Sequence, residues 1–290
     1  MRKAKYAGKF YEKAVSLLDV QIKKCFEGER GPGALPSTIT NKKIKAVIVP
    51  HAGYSYSGQA AAWSYKAIAE QGMSDVYIII APSHSSSETA LTNETFETPY
   101  GMVRVDQHFA RELVQKGNIK DDNSIHENEH SIEVQLPFLQ FVFKKNKEKI
   151  KILPILIGTN ATREQLKQLA MDIKEVAMDM SKNVTFIISS DFTHYGRDYN
   201  YIPFGDHRKE NIYKMDEAAI NLIKEFKPEE FLDLVEKELM TICGASPIYL
   251  LLNYLKTGKA NLEQYYTSAD LTPETNYRNS VSYASIVFTD

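Results

Sequence analysis

Four short runs constrain this chain more than anything else in it: KAVIVP (45–50), DVYIIIAP (75–82), KIKILPILIG (149–158) and NVTFIIS (183–189). Each is apolar almost without interruption and rich in β-branched residues. A strand with one wet face alternates apolar with polar side chains, so strands that do not alternate must be covered on both faces. Helical periodicity follows each run, as in SGQAAAWSYKAIAEQG (57–72), which a glycine closes. Strand and helix in alternation predict an α/β chain of three layers, α/β/α, with a mostly parallel central sheet. No Pro, Gly or Ser tract separates two such units, and residues 1–290 are expected to form a single domain.

Local signals place the remaining elements. Helices are expected over about 12–26, from Asp106 as N-cap to Gly117, and over about 127–144. Another opens at Thr162, where Gln165 supplies the spacing of a capping box. Further helices are expected over about 209–226, 228–239 and 245–257. GERGPGALPS (28–37) is a loop, TFETPYGMVRVD (95–106) a hairpin, and NLEQYYTSAD (261–270) and SVSYASIVFTD (280–290) are closing strands.

Composition removes several function classes. Among 290 residues, 35 Lys and Arg stand against 37 Asp and Glu, a net charge of −2. That provides no field to hold a nucleic-acid backbone or an anionic membrane. No run approaches the ~20 apolar residues of a membrane span. The first residues, MRKAKYAGKFY, lack a secretory apolar stretch, and there are two cysteines, Cys25 and Cys243. A reducing cytoplasm is the expected location, where cysteines more often pack, bind metal or react than pair. Neither GxGxxG nor GxxxxGK[ST] occurs, so no nucleotide cofactor is expected.

In open α/β sheets, ligands bind beyond the carboxyl ends of the strands, where several loops converge. Three strands here end in reactive groups: VIVPHAGY in His51, IIIAPSH in His84, and FIISSDFTH in Asp191 and His194. Any one of them could be an ordinary loop residue; three on one rim argue for a site. Cys243, in MTICGASP, precedes a helix starting near Ala245, where the positive dipole end favours thiolate. Imidazoles and a thiolate suit iron, copper or zinc far better than calcium or magnesium.

Two competing readings use the same residue types. HENEH (126–130) matches the pattern in which two histidines one helical turn apart bind zinc beside a glutamate base, which would make the chain a zinc-dependent hydrolase through His126, Glu129 and His130. No third ligand is evident, and a charged helix start accounts for the same letters. A cysteine hydrolase would use Cys243 as nucleophile, His194 as base and Asp191 to orient it, though no protease signature surrounds Cys243.

Taken in order, VPHAGYSYSG, APSH, ENEHSIEVQLPFL, SSDFTHYG and TICGASPI, with AGKFY near the start and SVSYAS near the end, resemble the Memo protein family over nearly the whole chain. The resemblance implies a fold like that of the class III extradiol dioxygenases. It also implies metal ligands at His51, His84 and Cys243, with His194 as acid/base and Asp191 orienting it or meeting substrate. Tyr54 and His130 are expected to line the pocket. Where those dioxygenases use a carboxylate ligand this chain has Cys243, and a softer, oxidisable thiolate argues against aromatic ring cleavage. Ser85 stands where some family members carry a second histidine. The resemblance thus implies a metal-binding protein, with iron or copper and zinc as a further candidate, and redox or oxygenase-like chemistry on a small molecule or peptide. It also implies an association with radical-SAM and Amme-type proteins. A non-catalytic recognition module using the same pocket is the alternative.

Overall fold

The computed structural model describes residues 1–40, 42–272 and 276–290. The apolar runs form β1 (Ile44–Val49), β2 (Val76–Pro82), β7 (Lys151–Ile157) and β8 (Val184–Ser189). Short strands β3 (Ala90–Leu91), β4 (Phe96–Thr98), β5 (Gly101–Val105), β6 (Lys120–Asp121) and β9 (His194–Gly196) fill the intervals. The long β10 (Lys259–Thr267) and β11 (Asn279–Thr289) close the set. The main sheet runs β10-β11-β1-β8-β2-β7-β3-β6. Its centre, β1-β8-β2-β7, is parallel throughout, and β10 and β11 add an antiparallel flank.

The four central strands are buried on both faces, as their unbroken apolar runs require. One face is covered by α1 (Val15–Glu27), α2 (Tyr54–Gln71) and α5 (Leu136–Val142), with α2 lying against β1 and β11. The opposite layer holds α3 (Gln107–Gln115), α6 (Arg163–Asp179), α7 (Arg208–Lys224), α8 (Pro228–Lys237) and α9 (Ala245–Leu255), with α9 against β8 and β2. Two short helices, α4 (Asn123–Glu127) and α10 (Ser268–Leu271), lie in connections. This is the three-layer α/β/α architecture.

Local chemistry sets several element boundaries. Asp106 caps α3 by accepting from Phe109 N, and Thr162 and Gln165 form the reciprocal capping box of α6. Pro154 lies inside β7, where a missing N–H should break a ladder. On the side away from β2, β5 pairs at residues 151–152 and β3 at 155–156, and Pro154 falls between them.

The helix expected over 127–144 forms only in part. After α4 ends at Glu127 the chain turns, and helical structure resumes at Glu133–Gln135 and in α5. Two causes are visible. The Glu129 carboxylate takes the backbone N–H groups of His130 (2.8 Å) and Ser131 (3.0 Å), an alternative to helical bonding. Pro137 then fits at the first turn of a new helix better than in the middle of an old one.

Candidate metal centre

Because β1, β8 and β2 are neighbours and parallel, their carboxyl ends emerge side by side. His51 follows β1, Asp191 follows β8 and His84 follows β2, so tertiary pairing brings together residues far apart in sequence. Cys243 comes from the opposite layer, just before α9. Gly244 N–H donates to Ser190 Oγ at 3.0 Å, and a Cβ at Gly244 would fall on the Ser190 side chain, so only glycine lets the strand and helix ends approach this closely.

One ligand atom from each of His51, His84 and Cys243 lies within 4.8 Å of the others. His51 Nε2 is 3.2 Å from Cys243 Sγ. The proton on His51 can be located by elimination. Ser189 Oγ gives its single hydrogen to Ser131 O (2.6 Å) and receives Nε2–H of Gln135 (2.9 Å), an amide whose orientation is set by Pro50 O. His51 Nδ1, 2.9 Å from the same hydroxyl, must then carry a hydrogen, and Nε2 is left bare.

The other rim histidines obey the same rule. His84 Nδ1 lies 3.0 Å from Glu129 Oε1, and His130 Nδ1 lies 3.1 Å from it. His194 Nδ1 faces two carbonyls, Phe192 O (2.9 Å) and Thr241 O (3.0 Å), both acceptors only. In its neutral form each imidazole therefore holds its hydrogen on Nδ1 against the protein and leaves Nε2 without one, the usual state of a metal-binding or proton-carrying histidine.

His84, Glu129 and His130 form a second group whose ligand atoms are equally close. Its electrostatics suit an anion. Besides the two Nδ1 atoms, the Glu129 carboxylate faces the backbone N–H groups of His84 (2.6 Å), His130 and Ser131. A cation there would meet converging donors, so Glu129 is better placed to orient ligands than to be one. The His51, His84 and Cys243 group, with two bare nitrogens and a sulfur, is the one that fits a transition metal.

Protonation follows from the surroundings. Burial, reinforced by His130 and His84, holds His51 well below the ordinary imidazole value, so it is neutral at pH 7. Burial also opposes charge on His84, but the Glu129 hydrogen bond and charge outweigh it and raise the His84 pKa. Glu129 is pushed up by burial and pulled further down by its bonds to His130 and His84, remaining ionised. Burial and the nearby Asp191 hold the Cys243 thiol well above its usual range. The thiolate expected from the helix dipole is therefore not the resting state; desolvation exceeds a dipole effect of about 1 kcal/mol.

The structure places the remaining predicted residues as follows. Asp191 accepts from His51 N at 2.8 Å and lies within charge range of His194, whose ring is oriented by the two carbonyls instead. His194 is clamped to Thr241, which accepts from His194 N and donates to His194 O, both at 2.8 Å. Tyr54 is 4% exposed, with its hydroxyl on Val134 O and its ring against Phe138, so it packs in the core behind the pocket. His130 does reach the centre, its ring centroid 4.8 Å from that of His84 and 5.3 Å from that of His51.

His126 does not reach it. Its Nε2 is held by Ala90 O at 3.1 Å, and burial lowers its pKa to about 4. Because α4 ends between His126 and Glu129, the HENEH histidines are not one turn apart on a helix, and the zinc-hydrolase geometry is not formed. Sequence reasoning passed over Glu129 as an orienting group, and also Ser189, Ser131 and Gln135. The available hint for Glu129 was its place between the histidines of HENEH; none existed for the hydroxyls.

The chain is similar to known proteins over nearly its whole length. A family model described as Memo-like protein matches residues 2–287. A MEMO1 family protein of Methanopyrus kandleri is 33% identical over 290 residues, covering 97% of this chain and 96% of the relative. Another from Pyrococcus furiosus is 33% identical over 299 residues, covering 99% and 98%. One from Methanococcus maripaludis is 34% identical over 290 residues, covering 97% of each.

Proposed function

The chain belongs to the Memo-like protein family, and on that premise we propose that it is a metal-dependent redox protein holding iron or copper on His51, His84 and Cys243. The observation that carries this reading is the convergence of bare His51 Nε2 and Cys243 Sγ at 3.2 Å with the one free nitrogen of His84. Two imidazoles and a thiolate favour such metals over calcium or magnesium. When bound, the metal would supply a redox couple and a Lewis acid beside an open face.

The chain's own residues divide the remaining work. His51 is neutral at pH 7 and ready to bind, whereas Cys243 must lose its proton on binding, so metal uptake releases H⁺. Asp191 N–H, 3.2 Å from Cys243 Sγ, donates to the thiolate so formed. The Asp191 carboxylate also holds the His51 turn by accepting the His51 backbone N–H. His194, whose Nδ1 is taken by Phe192 O and Thr241 O, is the group suited to move a proton to or from a bound substrate through Nε2. Tyr199, 40% exposed, lies edge-on to His194 at 5.1 Å and offers an aromatic wall to a small organic substrate.

Metal analysis of untagged protein beside a His51→Ala/Cys243→Ser double variant tests the assignment. Stoichiometric iron or copper in the parent and near-total loss in the variant are expected. Equal metal content in the two would refute the ligand set.

A further inference from the structure

Residues 2–11 grip the segment that orients the imidazoles. Arg2 is 3% exposed, and its guanidinium donates to His126 O (2.6 Å), to Glu129 O, to Lys3 O (3.3 Å) and to the Glu133 carboxylate (2.5 Å). Glu133 is fully buried. Among the described residues, all four of its donors come from residues 2–11: Arg2, the backbone N–H groups of Lys5 (3.2 Å) and Tyr6 (2.8 Å), and the Tyr11 hydroxyl (2.7 Å). Further along, the Phe10 ring lies 4.6 Å from that of His130, and Phe10 O accepts from Tyr54 N at 2.8 Å, two residues after the His51–Ala52 turn.

Between the gripped points lie Glu129, His130 and Ser131. Glu129 holds Nδ1 of His84 and faces that of His130, while Ser131 O takes the Ser189 hydrogen and thereby determines which nitrogen of His51 is bare. A buried ion pair far from the ligands is an expensive means of holding a fold together, since desolvating two charges offsets most of their attraction. Here the pair fixes a stretch that carries the His130 imidazole and meets those of His84 and His51.

We infer that the 2–11 segment is a positioning element of the candidate metal centre, with Arg2 and Glu133 as its positioning residues acting through Glu129. The inference rests on the metal reading for its purpose, but the imidazole tautomers it controls exist without metal.

Long-range ¹H–¹⁵N spectra of the metal-free protein near pH 9 would report which nitrogen of each histidine carries the hydrogen. In the parent, His84, His130 and His194 should all be Nδ1–H. In Arg2→Met and in Glu133→Gln, His84 and His130 should become tautomer mixtures while His194, held by Phe192 O and Thr241 O, stays as it was. Cobalt(II) affinity should fall roughly tenfold or more, the usual effect of losing a group that orients a ligand. If Arg2→Met does not fold, Tyr11→Phe removes one of the four Glu133 donors and should shift the same two rings by less. Unchanged His84 and His130 signals in folded variants would overturn the inference, as would His194 shifting with them, which marks a general loosening. Failure of the parent to bind cobalt would count against the metal reading, and the tautomer comparison would still decide the positioning role.

Discussion

Replacing Glu129 by Gln changes one atom and should separate ligand orientation from folding. The amide oxygen can take over the place of Oε1 and keep His130 N and Ser131 N as donors. The amide nitrogen must then stand where Oε2 does, facing the His84 N–H at 2.6 Å, donor against donor. One buried backbone N–H left unpaired costs about 1–3 kcal/mol. The bonds that remain lose their charge assistance, roughly half their strength. A loss on the order of 3 kcal/mol of unfolding free energy is therefore expected from urea titration of the metal-free protein. His84 loses the group that raises its pKa, leaving burial to lower it, so its titration should move to lower pH. With Nδ1–H no longer held by a carboxylate, metal affinity should fall about 10–100-fold, measured by competition with a chromogenic chelator. The decisive result is the pairing of the two. A Gln variant that loses the predicted stability yet binds metal within about twofold of the parent would show that Glu129 serves folding alone, and the orientation argument would fail.

The pH dependence of stability in the metal-free protein should peak near the ordinary imidazole pKa. Below it the unfolded chain takes up protons that buried, neutral His51 and His126 refuse, so stability falls; above it the proton held by His84 is lost, and with it the Glu129 contact strengthened by charge. For His126, whose pKa is lowered from 6.5 to about 4, the acid limb amounts to about 3 kcal/mol, and His126→Gln should flatten it in denaturation curves taken across that range. Gly244→Ala drives a methyl group into Ser190 and to 2.9 Å from Ser189 O; a loss of about 1–3 kcal/mol and displacement of Cys243 are expected, read as a lowered Tm together with reduced metal content. Full stability with wild-type metal content in that variant would refute the close-approach argument.

The stretches that sequence reasoning located well are those whose physics is local. Unbroken apolar runs located β1, β2, β7 and β8, because a strand covered on both faces has nowhere to put a polar side chain. Asp106 and the Thr162–Gln165 pair marked helix starts, because capping is a contact between residues three apart. The segment after His126 was misjudged, because a carboxylate taking its neighbours' N–H groups is invisible in a periodicity count.

His51, His84, Asp191, His194 and Cys243 could be singled out from sequence because strand ends and helix starts are where α/β folds expose reactive groups. Their meeting could not be: it depends on β8 lying between β1 and β2, and on Gly244 seating α9 against Ser190. Protonation was decided in three dimensions as well. A helix start promised Cys243 a thiolate, and burial beside Asp191 reverses that. Which nitrogen of His51 is bare depends on one hydroxyl hydrogen on Ser189, directed by Ser131 and Gln135. Which groups stand at the rim follows from local pattern and can be read along the chain. Which of them face one another, and in what state, is settled by the fold, because desolvation and hydrogen-bond direction are properties of neighbours distant in the chain.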